Sequence, residues 1–494
     1  MILALAFISK LYAQDEADVL RYSNLQSGGT ARSFSLAGAT GALGGDFSNA
    51  SNNPSGLAFY KSSEFTFSPL INSSRTDASY FSIENMDRST RFGLGNIGIV
   101  LKNNYTIKGK DVTKGWTGIT FAFGMNKLAS FANATTYSGY NKFNSIGDKY
   151  AADLSLKGVG PNDALGAETW GSGLAFDAYL LDATLADSTK YLAINGGGKV
   201  TQTLSRIVKG AMNEMTFSFA GNYEHKLLIG GTLGIPFASY SSETSYTETD
   251  DSSKHYGFKN YSSVTSIAAN GTGINLKLGA TYLANDYFRL GVAMHTPTFF
   301  NFTDNGTLTM TTVRTDSLFP GTYTSDVTND IKYSVTTPWR AIGSAAFLFK
   351  KFGFITIDYE LVDYSSANLR FSSKNASDIQ AASSINRNIH QQFTSASNVR
   401  IGGELKLDIF AIRAGFGSYG SPFKSSTIAG YNQSRKVASI GFGIREKDYF
   451  FDLGIQKTMY NGIDLPYYSS YSTNYSATTK TSSTIVVTTI GLKF

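Results

Sequence analysis

The 494-residue sequence contains no cysteine, and few of its residues are charged. The lack of cysteine excludes disulfide bonds, thiolate catalysis and cysteine-ligated zinc sites. Charged residues make up 16% of the chain, against about 25% in typical soluble domains. No run of about 18 apolar residues follows the N-terminal segment, which excludes a membrane-spanning helix. These absences favour neither a soluble multidomain protein nor a helical membrane protein.

Groups of residues that carry chemistry are also missing. The net charge of +6 is spread along the chain, without the basic cluster that nucleic-acid binding requires. The histidines are far apart in sequence and have no metal-binding spacing; they are His225, His255, His295 and His390. We therefore expect no enzyme, no metal site, no cofactor and no nucleic-acid partner.

Aromatic residues and glycine are abundant, with 35 Phe, 29 Tyr and 49 Gly. From about Glu64 onward, apolar and polar residues alternate in strand-like segments such as 116–126, 214–223 and 273–284. The mean hydropathy is only −0.13, as expected for a barrel whose strands present apolar residues to lipid and polar residues to the lumen. The pattern predicts an all-β fold, a transmembrane antiparallel barrel over residues 64–494.

The connections between these segments are of two kinds. Very short ones lie at 225–226, 285–286 and 447–448, and we expect tight hairpins there. Long ones are rich in Ser, Thr, Asn and Tyr, and we expect extracellular loops at 241–263, 301–332, 366–397 and 460–481. This alternation is typical of outer-membrane barrels; a β-sandwich or propeller would have more even connections.

We expect an export signal at the N-terminal end of the sequence and a barrel-assembly signal at its C-terminal end. Residues 1–13 have a short apolar stretch and a possible cleavage site, so we predict a signal peptide, although an ordinary apolar strand or helix is the alternative. At the other end an aromatic residue closes an alternating strand, which is the signal that barrel-assembly machinery recognises. Its residues are Phe494, Leu492 and Ile490.

Two regions lack strand alternation. Residues 14–63 are rich in Gly, Ala, Ser and Asn, while the region near 140–213 has helical periodicity at 173–181 and 204–209. The second region is unusually apolar for an exposed loop. We expect it to be a partly helical insertion among the extracellular loops.

The N-terminal region carries a family resemblance. Residues 28–46 read GGTARSFSLAGATGALGGD and residues 53–58 read NPSGLA. They resemble the N-terminal region of the FadL/TodX family, with Ser55 where that family has Ala, and the overall look is closest to Bacteroidetes-type members. The resemblance implies a barrel of about fourteen strands with residues 14–63 folded inside as a hatch. The hatch residues it marks are Arg32, Gly38, Gly41, Gly44, Asn53, Pro54, Gly56 and Leu57.

The same resemblance implies passive uptake of hydrophobic small molecules, either long-chain fatty acids or aromatic hydrocarbons, across the bacterial outer membrane. Loops would capture the ligand, the lumen would bind it, and a gap in the wall would release it sideways. Capture candidates in the insertion are Trp170, Leu174, Phe176, Tyr179 and Leu180; alternatively, a helix packs them against the barrel rim. Arg32 would face either a ligand carboxylate or an acidic residue of the wall.

Other functions stay open at this point. A barrel of this kind could serve as a scaffold or shuttle in protein secretion, and a polar, sealed interior would favour that role. A general porin would need an open, charged lumen, and an outer-membrane hydrolase would need a Ser–His pair. The expected surroundings are outer-membrane lipid and lipopolysaccharide, and the expected state is a monomer.

Overall fold

The alternating segments of the sequence form the wall of a closed barrel. The computed structural model describes residues 15–26, 28–107, 110–424 and 433–494; the predicted signal peptide at 1–13 lies outside them. Neighbouring strands pair antiparallel, and the last strand pairs with the first, for example Leu492 with Phe65. This closure leaves the sheet without a free first or last edge.

Fourteen strands build the wall, and four of them are interrupted by a short irregular stretch. The strands are β1 Glu64–Tyr80, β2 Ile83–Asn104, β3 Trp116–Ser130 and Asn133–Asn141, β4 Val200–Tyr223, β5 Leu227–Thr249, β6 Phe258–Leu283, β7 Phe288–His295 and Phe299–Arg314, β8 Gly321–Thr336 and Arg340–Leu348, β9 Gly353–Asp363 and Asn368–Phe371, β10 Ser395–Leu407, β11 Phe410–Tyr419, β12 Arg435–Arg445, β13 Tyr449–Asp464 and β14 Ala477–Lys493. The predicted barrel of about fourteen strands is confirmed.

Side-chain alternation makes the outside of the wall apolar and the inside polar. On β4, Phe217 and Phe219 are exposed outward, whereas Thr216 and Ser218 are buried inside. The end of β14 follows the same rule, since Ile490, Leu492 and Phe494 are all exposed. An apolar exterior with every backbone group paired in a closed sheet is the arrangement that spans lipid. No helix of the described residues is long and apolar enough to cross a membrane.

The barrel has a turn end and a loop end. The predicted tight hairpins at 225–226, 285–286 and 447–448 are confirmed, since they join β4 to β5, β6 to β7 and β12 to β13 at the turn end. The predicted long loops at 241–263 and 301–332 are wrong, because strands β5 to β8 continue through most of those residues. At the loop end, the Ser- and Thr-rich ends of β5 and β6 pair with each other, and so do those of β7 and β8. These strand ends lack alternating apolar residues, and their sequences therefore resemble those of loops.

The large connection between β3 and β4, residues 142–199, is partly helical. It contains α3 Ile146–Lys157, α4 Ala164–Ala167 and α5 Ser172–Asp177. The helix expected at 204–209 is wrong: those residues belong to β4, where Leu204 faces inward and pairs with β5. A helix that the sequence did not predict, Ala376–Gln392, follows β9 within the polar stretch 366–397.

The N-terminal segment lies inside the barrel. It contains α1 (Glu16–Ser23), α2 (Ala31–Ser35) and two 3-10 helices, Phe47–Ala50 and Pro54–Phe59. Its apolar side chains are buried against wall residues of several strands. We call residues 28–63 the hatch, and treat α1 separately because it lies nearer the loop end.

Candidate functional site

Glycine and a capping asparagine determine the local shape of the hatch. Gly38 and Gly44 have φ of 80° and 70°, a left-handed conformation that other residues adopt only with strain. Asn53 caps the 3-10 helix by accepting from the amide of Ser55, and its own amide donates to the carbonyl of Gly41 at 2.6 Å. Pro54 follows at the first helical position, where its missing N–H costs nothing.

Other hatch residues fit closely against their neighbours. A β-carbon on Gly41 would collide with the Ser344 hydroxyl on the wall, and one on Gly56 would collide with the side chain of Asn49. Leu57 is fully buried in an apolar cluster with residues of β2 to β5. The hatch is therefore packed as tightly as a protein core.

An ion pair attaches the hatch to the turn-end half of the wall. Arg32 donates to the carbonyls of Gly44 and Gly45, and its Nε lies 3.7 Å from Glu404 of β10. Glu404 also accepts from Arg413 at 2.6 Å. Arg32 thus lies against an acidic residue of the wall, not in an open ligand pocket.

Charged side chains also fill the middle of the lumen. Glu214 pairs with Lys277, and Glu360 pairs with both Arg340 and Arg400. The cavities between these groups and the hatch measure about 70 and 20 Å³, which is room for a few water molecules. Among the described residues, no group of three or more His, Asp and Glu side chains could hold a metal ion.

The loop-end half of the lumen is apolar, and α1 fills it. We define the upper chamber by the wall residues that surround α1; they include Leu128, Met212, Tyr240, Phe300, Phe302, Tyr333, Val335 and Val362. The Tyr22 ring stacks on Phe302 with centroids 4.1 Å apart. Val19 and Leu20 are buried in the same cluster. The chamber is hydrophobic and occupied by the chain's own helix.

The predicted capture residues do not share one surface. Leu174 and Leu180 are buried in a cluster that joins the insertion to the loop ends of several strands, and Phe176 packs edge-on against Tyr191. Tyr179 is 38% exposed and stacks on Tyr323. Trp170 alone lines an open pocket.

That pocket has a volume of about 760 Å³ and lies at the loop end. Its apolar lining consists of Trp170, Val327, Ile331 and Phe371, with Lys332 and Asp378 among the polar groups. Phe371 and Ile331 also touch the upper chamber cluster. The pocket therefore adjoins the apolar interior, and it includes Trp170 from the predicted set; ligand capture by that set stays a prediction.

The wall has a gap between β2 and β3. The two strands pair from Asn104–Gly118 up to Asn96–Asn126, and the described residues show no backbone pairing between them beyond that point. There β3 bulges between Lys127 and Ala129, and its second segment, Asn133–Asn141, pairs with β4 only. We call the opening between residues 87–95 of β2 and 127–136 of β3 the wall gap.

Side chains determine the extent of the wall gap. At its upper end, the Asp87 carboxylate accepts from the backbone N–H of Thr136 at 2.5 Å. Within it, β3 bends inward and is held by β1, whose Asn72 and Ser74 bond to Ser130 and Asn133. Phe92 is 84% exposed at the outer rim. The gap therefore begins at the upper edge of the apolar exterior.

The sequence contains one sign of this gap. In β3, four consecutive residues, 126–129, are buried, so the alternation fails where the strand turns inward. A single mid-strand lysine within that break is unusual in an outward-apolar, inward-polar pattern. Without a known register, however, the break could not be distinguished from an ordinary bulge.

A fourteen-stranded transmembrane barrel with a hatch in its lumen and a gap in its wall defines a distinct class of fold. No protein-family model and no curated protein matches the chain. Solved structures do: the Pseudomonas putida toluene transporter TodX has a TM-score of 0.56 at 13% identity, covering 95% of this chain and 99% of that one. A Pseudomonas aeruginosa FadL homologue scores 0.57, also at 13% identity and with the same coverage.

The Ralstonia pickettii toluene transporter TbuX is similar as well, with a TM-score of 0.53, 13% identity, and coverage of 95% and 99%. At this level of identity the likeness establishes the fold. The chain has the FadL/TodX-type fold, and the resemblance read from residues 28–58 is confirmed. Similarity to Bacteroidetes-type members stays a prediction.

Proposed function

We propose that this protein is a bacterial outer-membrane channel for passive uptake of hydrophobic small molecules. A ligand is captured at the loop end, binds in the upper chamber and leaves sideways through the wall gap. Two of the similar structures are named toluene transporters, which supports a hydrophobic ligand. The proposed channel acts as a monomer surrounded by outer-membrane lipid and lipopolysaccharide, and barrel-assembly machinery recognises its C-terminal strand.

The wall gap is the observation that carries this proposal. The hatch and buried ion pairs occupy the turn-end half and the middle of the lumen, so we infer that a ligand that enters from the loop end leaves by another exit. The gap lies beside the upper chamber, since Leu128 of the inward bend is part of the chamber wall. A hydrophobic ligand gains about 0.8 kcal/mol for each buried CH₂, and this lateral path keeps it out of water.

Capture is proposed for the pocket beside Trp170. Its apolar lining adjoins the chamber through Ile331 and Phe371, so a ligand would pass from one apolar surface to the next. Leu174 and Leu180, being buried, would stabilise the loop that carries Trp170. Ligand entry is thus proposed at one pocket and not over the whole of the apolar insertion.

Filling the wall gap tests the proposal. A β-carbon on Gly93 would make only ordinary contacts, with Leu70 at 3.5 Å and Lys127 at 3.7 Å, so Gly93→Phe should fold with a ring in the gap. Gly343→Phe is the matched control, because nothing lies within 4 Å of its β-carbon on the outer wall. Uptake of radiolabelled toluene and hexadecanoate by expressing cells should fall about tenfold in Gly93→Phe, a barrier increase of about 1.4 kcal/mol.

Equal uptake by Gly93→Phe, Gly343→Phe and the parent protein would rule out the lateral exit. The alternative would then be a scaffold or shuttle role in protein secretion. That role would use the outward face of residues 142–199, where Leu156, Leu185 and Leu192 are exposed. Deleting those side chains would alter partner binding without changing uptake.

A further inference from the structure

One turn at the turn end of the barrel differs from its neighbours in charge. The turn between β8 and β9, residues 349–352, reads Phe-Lys-Lys-Phe and contains no acidic residue. The other short turns at this end, 224–226, 284–287, 408–409 and 446–448, each contain at least one Asp or Glu. Lys226 and Lys447 therefore have an acidic residue in their own turn, whereas Lys350 and Lys351 have none.

The backbone places both lysines at the tip of the turn. The amide of Phe352 donates to the carbonyl of Phe349 at 2.9 Å, which closes a four-residue β-turn with Lys350 and Lys351 at its central positions. Both lysines are exposed, and among the described residues neither makes an ion pair or a side-chain hydrogen bond. Two ammonium groups without a counter-charge are thus held side by side at the end of the barrel.

The apolar exterior of the wall extends to this turn. The outward side chains of β8, β9 and β10 next to it are large, apolar and exposed. They include Phe347, Phe349, Ile355 and Leu405. Beyond them, the Lys350 ammonium lies 5.7 Å from the centre of the Tyr287 ring, which is 47% exposed. Tyrosine is enriched at the membrane–water interface, so the two lysines lie at the level of lipid headgroups.

The side of the membrane determines which anions are available. Short turns of an outer-membrane barrel face the periplasm, where the membrane leaflet consists of phospholipids and not of lipopolysaccharide. A zwitterionic headgroup carries its own ammonium beside the phosphate, whereas an anionic headgroup does not. Two lysines with no acidic partner therefore favour an anionic phospholipid.

We propose that the turn 349–352 binds the headgroup of an anionic phospholipid of the periplasmic leaflet. The phosphate accepts hydrogen bonds from Lys350 and Lys351, and the acyl chains lie along the exposed side chains of Phe347 and Leu405. The site is separate from the proposed uptake path, because six strands of the fourteen-strand wall separate it from the wall gap. A lipid bound there holds this side of the barrel at a fixed depth in the membrane.

The test compares two lipids that have the same acyl chains and different headgroup charges. Dioleoyl phosphatidylglycerol and dioleoyl phosphatidylcholine are titrated into the full chain in dodecyl maltoside, and bound lipid is counted by native mass spectrometry. The parent protein should bind phosphatidylglycerol with a Kd about tenfold lower or more. Lys350→Asn combined with Lys351→Gln should bring the two Kd values within about twofold of each other. Asparagine is used at position 350 because φ there is 50°, a left-handed conformation that asparagine tolerates.

Two matched variants and a cross-link make the result specific. Lys226→Gln combined with Lys447→Gln removes the same charge from turns that contain acidic residues, and it should leave the preference for phosphatidylglycerol within about twofold of the parent value. Lys350→Arg combined with Lys351→Arg keeps the charge and should keep the preference. A phosphatidylglycerol analogue with a photoreactive headgroup should label the peptide that contains residues 347–355.

Each other outcome has a definite meaning. Equal Kd values of the two lipids for the parent protein would overturn the site, and so would labelling of other turns only. An equal loss of preference in the variants at 350/351 and 226/447 would assign lipid binding to the overall charge of the turn end and overturn it too. If circular dichroism shows that the 350/351 variant does not fold, Lys351→Gln alone decides, with an expected loss of about fivefold in phosphatidylglycerol binding. Hydrophobic uptake is tested separately by Gly93→Phe.

Discussion

The two halves of the lumen are filled by different means. At the turn end, the hatch is held by close glycine contacts, by the Asn53 cap and by the ion pair of Arg32 with Glu404, each of which needs a particular residue. At the loop end, α1 fills the upper chamber mainly with apolar side chains. Polar contacts have fixed geometry, whereas apolar contacts are non-directional.

The difference indicates a division of roles. In the turn-end half, close packing and polar contacts hold the hatch in one position. Under the proposed function, the contents of the upper chamber are exchanged, because another apolar group of similar size would make similar contacts with the same wall residues. The hatch and the proposed ligand site therefore lie in separate halves of one lumen.

The largest expected effect comes from breaking the buried network of the turn-end half. Arg413 is fully buried between Glu404 and Asp452, at 2.6 Å from each. Arg413→Met leaves each buried carboxylate with one cation instead of two, Arg32 beside Glu404 and Arg445 beside Asp452. We therefore expect a loss of about 3 kcal/mol in the free energy of unfolding, measured by urea titration in detergent micelles. Arg75→Met, which removes an exposed pair with Asp77, is the control and should cause no measurable change. An equal response of the two variants would contradict the comparison.

A smaller effect is expected at the hatch cap. Asn53→Ala removes both the cap of the 3-10 helix and the bond to Gly41, at a cost of about 1–2 kcal/mol. Limited proteolysis should then cut within residues 41–59 faster than in the parent protein. Asn375→Ala is the matched control, since that asparagine begins a helix without a side-chain cap. Cleavage at the parent rate in Asn53→Ala would mean that packing alone holds the hatch.

In the upper chamber we expect a local effect only. Tyr22→Ala removes the ring stacked on Phe302 and should speed hydrogen exchange at the amides of α1. The unfolding free energy of the barrel should change by less than about 0.5 kcal/mol, since we expect α1 to open without unfolding of the wall. A loss as large as that in Arg413→Met would show that both halves unfold as one unit.

The smallest effect is a titration at the loop end. Burial raises the pKa of Asp316, but hydrogen bonds from Arg314 and from the amides of Leu318 and Phe319 outweigh it and lower the pKa below its usual 3.8. A depressed pKa stabilises the loop at higher pH, and this stabilisation is lost as pH falls below about 4 through the folded-state pKa. The Leu318 and Phe319 amide shifts should titrate below pH 3.8 by NMR. Asp316→Asn should abolish the transition; its persistence there would assign it to another group.

Most of the fold could be predicted from the alternation of apolar and polar residues and from the hatch motif. Period-2 patterns identified the lipid-facing strands because burial differs on their two faces, and residues 28–58 identified the hatch. The strand ends beyond the membrane were missed, since both of their faces tolerate polar residues. The helix Ala376–Gln392 was missed because only four of its residues are buried.

The candidate site was much less predictable. Trp170 was named from its apolar surroundings, but the burial of Leu174 and Leu180 depends on contacts with strands far away in sequence. The wall gap arises because β2 and β3 do not pair over part of their length. The sequence of one strand does not show which residues of another strand it pairs with. That Lys127 lies beside Gly93 at the gap can be recognised only when the register of β2 and β3 is known.

The wall gap also exposes a strand edge. Residues 83–95 of β2 pair with β1 on one side and have no backbone partner on β3 on the other, so they present a template on which a second strand could add. Natural sheets protect such edges with charged side chains and bulges. Here Glu84, Asp87 and Arg88 lie along the free edge, and the register of β2 shifts opposite Ser68 and Pro69. The same charges that border the opening therefore also discourage two barrels from joining edge to edge.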